Sequence, residues 1–269
     1  MGEHYSKKEL GKDMYQFFIE DENAAEDFVT IEGSDVNHIK NVLRMKPGEK
    51  IRVCTRNGQN YFCSISDITE SFVRADILEK EAESTELPCR IYLFQGLPKN
   101  DKMEWIIQKT VELGVYEVIP VAMKNCVVKL DDKKAKSKVT RWQAIAESAA
   151  KQSKRSLIPE VKMPMSYKEA VAYAKKLDVK LVPYENEHGM AGTKAAMEQI
   201  KKGESIAVFI GPEGGFDPSE IALAKEEGMH LVSLGKRILR TETAGLATLS
   251  ILMYHIESVS EAEEERDQP

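Results

Sequence analysis

The chain has 269 residues, 42% of them hydrophobic, with 38 basic and 44 acidic side chains for a formal net charge of −6. That suits one large or two medium domains, and no apolar run reaches the length of a membrane span. The opening residues lack the apolar core of a signal peptide, so the expected location is cytoplasmic and no membrane partner is expected.

The charge is unevenly spread. From position 257 onward six acids face the single base Arg266, a local balance of −5, and the remainder is almost neutral. Such a tail reads as solvated and disordered. Cys54, Cys63, Cys89 and Cys126 show no C-x-x-C spacing and no paired histidines, so neither a disulfide framework nor a metal site is expected. They read as reduced, mostly buried thiols. The five histidines are dispersed, and His38 or His255 fits a packed or capping role better than metal ligation.

Residues up to about 13 are polar and read as a frayed extension, with an opening strand at 14–19. Ser34 or Asp35 can cap a short helix through Val36, Ile39, Val42 and Leu43, which Lys46, Pro47 and Gly48 end. Strands then alternate. Ile51 and Val53 share one face, Tyr61, Cys63 and Ile65 share another, Asn57-Gly58 between them signals a hairpin, and 72–78 adds a further strand. This opening predicts a small β-barrel closing near Lys80. Arg44, Lys46, Arg52, Arg56 and Arg74 can reach phosphates there, although single charges more often form a solvated face. The charged stretch 79–86 before Pro88 reads as a linker.

Beyond it come a strand at 90–95, a helix with Met103, Ile106, Ile107, Thr110 and Val111 on one face, a stop at Gly114, and a strand at 116–121. Strand, helix and strand with short connections predict parallel pairing and an α/β layer. Basic residues at 124–141 precede a helix carrying Trp142, Ile145, Ala146 and Ala149, a run dense enough to attract RNA phosphates. Ser166 and Glu169 form a capping box, and 180–185 is a strand with a polar tip.

The stretch 206–249 organises the rest. Residues 206–210 (IAVFI) read as a strand buried on both faces, followed by the loop GPEGG at 211–215. Asp217, Pro218 and Glu220 mark a helix start and Gly228 its stop. A strand at 231–234, a second loop at 235–240 and an Ala/Leu-rich helix from about Glu242 follow. Two glycine-bearing loops leaving neighbouring strands on one edge of a parallel sheet predict a site for a nucleotide-like ligand. Taken alone, the glycines fit tight turns equally well. Neither G-x-x-x-x-G-K-[ST] nor G-x-G-x-x-G is present, which disfavours a nicotinamide-dependent dehydrogenase.

GPEGGF at 211–216 and LGKRILRTETA at 234–244, with PKNDKME at 98–104, ELGV at 112–115 and AAKQSKR at 149–155, resemble the RsmE family. Lys151 departs from the acid expected there. These SPOUT-class enzymes methylate N3 of a uridine in 16S ribosomal RNA with S-adenosyl-L-methionine. The resemblance implies a PUA-like RNA-binding β-barrel domain (14–80), a trefoil-knotted SPOUT α/β methyltransferase domain (88–257) and a homodimer, while the run of acids marks 258–269 as a disordered tail. It implies a cofactor site at Tyr184, Gly211, Glu213, Gly214, Gly215, Leu234, Gly235, Ile238 and Leu239, whose main chain grips adenine and ribose while the apolar side chains flank the ring. RNA contacts are expected from Arg44, Lys99, Lys102 and Arg155.

Uracil N3 is a poor nucleophile until its proton leaves. Arg240 is placed to stabilise the resulting charge on the flanking carbonyls, and Glu242 to accept the proton or cap the last helix. Two other readings keep the fold: a methyltransferase for another RNA position, such as a transfer-RNA ribose hydroxyl, and a non-catalytic RNA-binding assembly factor.

Overall fold

The computed structural model describes residues 14–81 and 84–266. The extension up to residue 13, part of the linker at 82–83 and the tail end at 267–269 lie outside them. The chain divides into two compact units, Met1–Glu86 with Ala150–Ile158, and Leu87–Ala149 with Pro159–Pro269.

The first unit holds strands β1 (Gln16–Ile19), β2 (Phe28–Glu32), β3 (Lys50–Thr55), β4 (Asn60–Ile68) and β5 (Phe72–Glu81) in the order β1-β3-β4-β5-β2. β1 runs parallel to β3 and the other pairs are antiparallel; among the described residues no pairing joins the end strands β1 and β2, so the sheet forms half a barrel rather than a ladder closed throughout. Period-two alternation sends Val29, Ile31, Ile51, Val53, Cys63, Ile65 and Val73 into its core. The predicted hairpin is present: Gly58 takes φ +86° and donates to the Thr55 carbonyl, while Ile51 pairs with Cys63 and Val53 with Tyr61.

The helix predicted after Ser34 is shorter. Helix α1 (Ser34–Asn37) is preceded by Gly33 at φ +73° with no side-chain cap, and gives way to a wider turn over His38–Val42. Val42 points outward, 61% exposed. Arg44 follows at φ +55°, a left-handed conformation that costs a non-glycine residue about 1–2 kcal/mol.

Residues 150–158 complete this unit. The preceding helix ends where Lys154 adopts φ +61° and the Arg155 N–H reaches back to the Ala150 carbonyl, a Schellman-type stop made without glycine. Arg155 is 3% exposed. Its guanidinium clasps the Glu86 carboxylate, with Nε at 2.8 Å from Oε2, and Glu86 also accepts from the Ser156 N–H at 2.7 Å. The predicted RNA contact by Arg155 is therefore corrected: the guanidinium is consumed inside the unit. Arg52 is likewise withdrawn from the phosphate-binding candidates, bonded to Glu81 at 2.6 Å and to the Lys154 carbonyl at 2.8 Å. Removing one partner of a buried pair strands the other charge, so Arg155→Ala is expected to cost about 3–5 kcal/mol in urea unfolding. A loss below about 1 kcal/mol, the worth of a surface pair, would contradict this.

The second unit contains β6 (Arg90–Gly96), α2 (Lys102–Glu112), β7 (Val115–Ala122), most of α3 (Asp132–Ser153), β8 (Glu160–Val161), β9 (Met165–Ser166), α4 (Tyr167–Ala174), β10 (Val179–Pro183), α5 (Ala191–Met197), β11 (Ser205–Ile210), α6 (Pro218–Glu226), β12 (His230–Val232) and α7 (Thr241–Arg266). The sheet order is β12-β10-β11-β6-β7-β8, with β9 also on β7, and every pairing is parallel. The two glycine loops therefore leave the same edge, but from strands separated by β10, not from neighbours. Helix α7 carries its backbone through Arg266, across most of the stretch whose charges suggested a disordered tail.

Both faces of the sheet are covered, which is why β6 and β11 read as continuous apolar runs. Phe94 and Phe209 stack at 4.3 Å, and Tyr167 of α4 meets Phe209 edge-on at 6.0 Å. The alternate residues Gln95 and Ile210 face α7, close to Gly245.

Candidate active site

In an all-parallel sheet every strand ends on one edge, and the connections beyond those ends build the site. Three of them, after β10, β11 and β12, line a cleft of about 550 Å³. Tyr184, Gly211, Glu213, Gly214, Gly215, Leu234, Gly235, Ile238 and Leu239 all line it, as do Arg240 and Lys102. Ile238 is 89% exposed, so this wall is an open lip rather than a closed slot.

The glycine loop is fixed from below and from the side. A Cβ built on Gly96 would lie 2.7 Å from the Pro212 nitrogen, so the end of β6 touches the loop backbone directly. Asn125, in the loop after β7, donates to the Gly214 and Gly215 carbonyls, each at 3.2 Å. Gly215 sits at φ +68°, and a Cβ there would stand 2.8 Å from Glu185 Oε1.

Past the loop, the predicted capping box closes α6. Asp217 accepts from the Ser219 N–H, and Glu220 accepts from the Asp217 N–H at 2.9 Å. Glu220 does more than cap: it is 4% exposed and also accepts from the Lys124 N–H at 2.9 Å, joining the β7 loop to the same helix start. The Ser219 hydroxyl and N–H, with the Lys124 ammonium, hold the Asp217 carboxyl down to about 2. The cap stays ionised throughout neutral pH.

The start of α7 is held by a chain of bonds that sequence reasoning missed. Buried Gln95 donates from Nε2 to the Thr241 hydroxyl at 2.9 Å, and that hydroxyl donates to the Gly211 carbonyl at 2.6 Å. Arg240, exposed at the cleft, immediately precedes this anchor. The one available signal was a polar residue at the end of an otherwise apolar strand. Nothing in the sequence around Asn125 marks it.

The remaining predicted residues are divided. Lys99 is exposed and gives its backbone N–H to Glu213 at 3.1 Å. Lys102 is held by two carboxylates, Glu213 at 3.0 Å and Glu242 at 3.1 Å. Burial opposes ionisation of Glu213, yet the Lys102 ammonium and the Lys99 N–H outweigh it and hold that carboxyl below its ordinary range. The Glu213 carboxylate in turn raises the Lys102 ammonium against its burial, with a smaller push from Glu242. Arg44 is exposed on the first unit. Among the described residues, no group of three or more His, Cys, Asp or Glu is placed to hold a metal, and no helix is long and apolar enough to cross a membrane. All four cysteines are free and buried, and burial pushes the Cys54 and Cys63 thiols up to about 12.

Residues 85–253 match the family model of an RNA methyltransferase domain, and 31–78 that of an RNA methyltransferase PUA domain. The ribosomal RNA small subunit methyltransferase E of Bacillus subtilis is 39% identical over 231 residues, spanning 85% of this chain and 90% of that protein. The crystal structure of a ribosomal RNA small subunit methyltransferase E from Neisseria gonorrhoeae bound to S-adenosyl methionine is similar at TM-score 0.77 and 33% identity, over 90% of this chain and 97% of that one. A putative methyltransferase from Legionella pneumophila in complex with the bound cofactor SAM is similar at TM-score 0.78 and 30% identity, over 90% and 97%. With a half-barrel PUA unit, a parallel α/β unit and these likenesses along nearly its whole length, the chain belongs to the ribosomal RNA small subunit methyltransferase E family.

Proposed function

We propose that this protein transfers a methyl group from S-adenosylmethionine to N3 of one uridine in 16S ribosomal RNA, acting in the cytoplasm as a homodimer. The observation that carries the reading is the convergence of three strand-end loops on one cleft, in a chain of this family. Its volume falls in the range of about 300–1,000 Å³ usual for small-ligand sites. The cleft fits the donor: bare backbone at Gly211, Gly214 and Gly215 leaves main-chain groups approachable, and Leu234, Ile238 and Leu239 offer apolar surface to a base.

When bound, S-adenosylmethionine supplies an electrophilic methyl group on a sulfonium. The chain's part is to hold donor and acceptor in line and to manage one proton. Arg240, at the cleft, offers a permanent positive charge to the carbonyl oxygens beside N3 as that nitrogen loses its proton. Glu242 lies in the first turn of α7, and its Oε2 is buried with no well-directed hydrogen bond. That atom is suited to accept the proton, directly or through water.

Exposed Trp105 on α2, with Ile251 and Tyr254 on the α7 helix packed against it, support a homodimer burying this face. The trefoil knot belongs to the same reading, with the segment entering α7 threaded through a loop. Exposed Arg44 and Lys99 remain the proposed RNA contacts, and Lys102, predicted beside them, is left out because its ammonium is taken up by Glu213 and Glu242.

Deleting the gene and mapping small-subunit ribosomal RNA by primer extension tests the assignment. One uridine is expected to lose a block on its Watson–Crick edge, and an unchanged pattern of stops overturns it.

A further inference from the structure

The charges at the rim of the cleft are organised around one cation. Lys102 opens α2, and its Nζ lies 3.0 Å from Glu213 Oε1 and 3.1 Å from Glu242 Oε2. Glu213 belongs to the glycine loop after β11, and Glu242 stands two residues beyond Arg240 in the first turn of α7. Three segments far apart in the chain therefore meet at a single ammonium. The side chains of Lys102, Glu213 and Glu242 are 27%, 24% and 16% exposed, better shielded than ordinary surface pairs. Glu213 is fixed again by the Lys99 N–H at 3.1 Å. The contact to Glu242 is bent away from a good hydrogen bond, so the buried Oε2 of that residue meets the Lys102 ammonium at 3.1 Å without a well-directed bond.

We propose that Lys102 is a positioning residue for methyl transfer, tying the loop that holds the donor to the helix start that carries Arg240 and Glu242. This rests on the reading above that the cleft takes S-adenosylmethionine and that Arg240 and Glu242 meet the uracil. Without the ammonium, two carboxylates within roughly 6 Å of each other repel, because each lies about 3 Å from the nitrogen that is lost. The Thr241–Gly211 bond still joins the two backbones, but the Glu213 and Glu242 carboxylates swing apart, and the placement of the glycine loop beyond Gly211 against the first turn of α7 goes with them. This role differs from a phosphate contact, which acts only when RNA is present.

The test uses full-length Lys102→Met. Calorimetry with S-adenosylmethionine and no RNA is expected to show binding about tenfold weaker, the size of a lost charge-assisted hydrogen bond. Turnover on small-subunit ribosomal RNA falls at least as far, while the salt dependence of KM for RNA keeps its slope. Adding Glu213→Gln to Lys102→Met removes the repulsion and recovers part of the donor affinity.

Wild-type donor affinity in Lys102→Met, with a raised KM for RNA and a shallower salt slope, overturns the proposal in favour of a phosphate contact. Loss of donor binding with no recovery in the double variant overturns it in favour of a purely structural role. If Lys102→Met does not fold, a cycle of Glu213→Gln and Glu242→Gln reads the same linkage through turnover, and additive effects overturn it. All these outcomes leave the functional reading standing; a wild-type protein that takes up no donor would remove the reading and the proposal together.

Discussion

Gly96→Ala is expected to weaken S-adenosylmethionine binding and to cut turnover by about a hundredfold although residue 96 does not line the cleft, since displacements of about 1 Å cost rate effects of this size. The added Cβ would stand 2.7 Å from the Pro212 nitrogen, 2.9 Å from its Cδ and 3.1 Å from the Gly211 carbonyl carbon. None of these atoms is the loose end of a flexible side chain. The glycine loop must lift, and it cannot do so freely. Thr241 holds the Gly211 carbonyl at 2.6 Å, and Asn125 holds the carbonyls of Gly214 and Gly215. The same overpacking should lower stability by about 1–3 kcal/mol. Calorimetry and thermal unfolding together check this. Unchanged affinity with unchanged stability would show that the end of β6 and the loop are not in contact.

Arg240→Ala is expected to reduce turnover by about 10²–10³ while leaving donor affinity within about threefold, as for the loss of one preorganised charge stabiliser. Arg240 lines the cleft, but the anchor for the start of α7 is its neighbour Thr241, bonded to Gln95 and to Gly211. Removing the guanidinium should therefore leave the loops in place. Single-turnover rates beside donor titration separate the two effects. Equal losses in both would mean that Arg240 holds the donor rather than the developing charge.

What sequence alone reveals here depends on how far apart interacting residues lie. Met103, Ile106, Ile107, Thr110 and Val111 all fall on the buried face of α2, because a 3.6-residue period is written locally. The capping boxes of Ser166 with Glu169 and Asp217 with Glu220 are legible down to the individual hydrogen bond, since each is set by residues three apart. All nine predicted cofactor residues line one cleft, since a parallel sheet forces its strand ends to a common edge.

Long-range choices were not legible. Nothing local places β10 between β11 and β12, and strand β2, only five residues long, passes without a turn signal strong enough to mark it. Charge partners are the hardest. Arg155 and Lys102 look alike in the sequence, as basic residues within family motifs. The first is sealed against Glu86, 69 positions away, and the second faces Glu213, 111 positions away. A lysine or arginine reads as solvent-facing until the fold delivers a carboxylate to it.

The central claim is tested most directly by incubating the purified protein with isotopically labelled S-adenosylmethionine and small ribosomal subunits lacking this methylation, then digesting the RNA to nucleosides for mass spectrometry. Label is expected in N3-methyluridine, accumulating about 10²–10³-fold more slowly with Arg240→Ala. Label on a ribose hydroxyl or on another base, or wild-type protein that transfers no label at all, would contradict it.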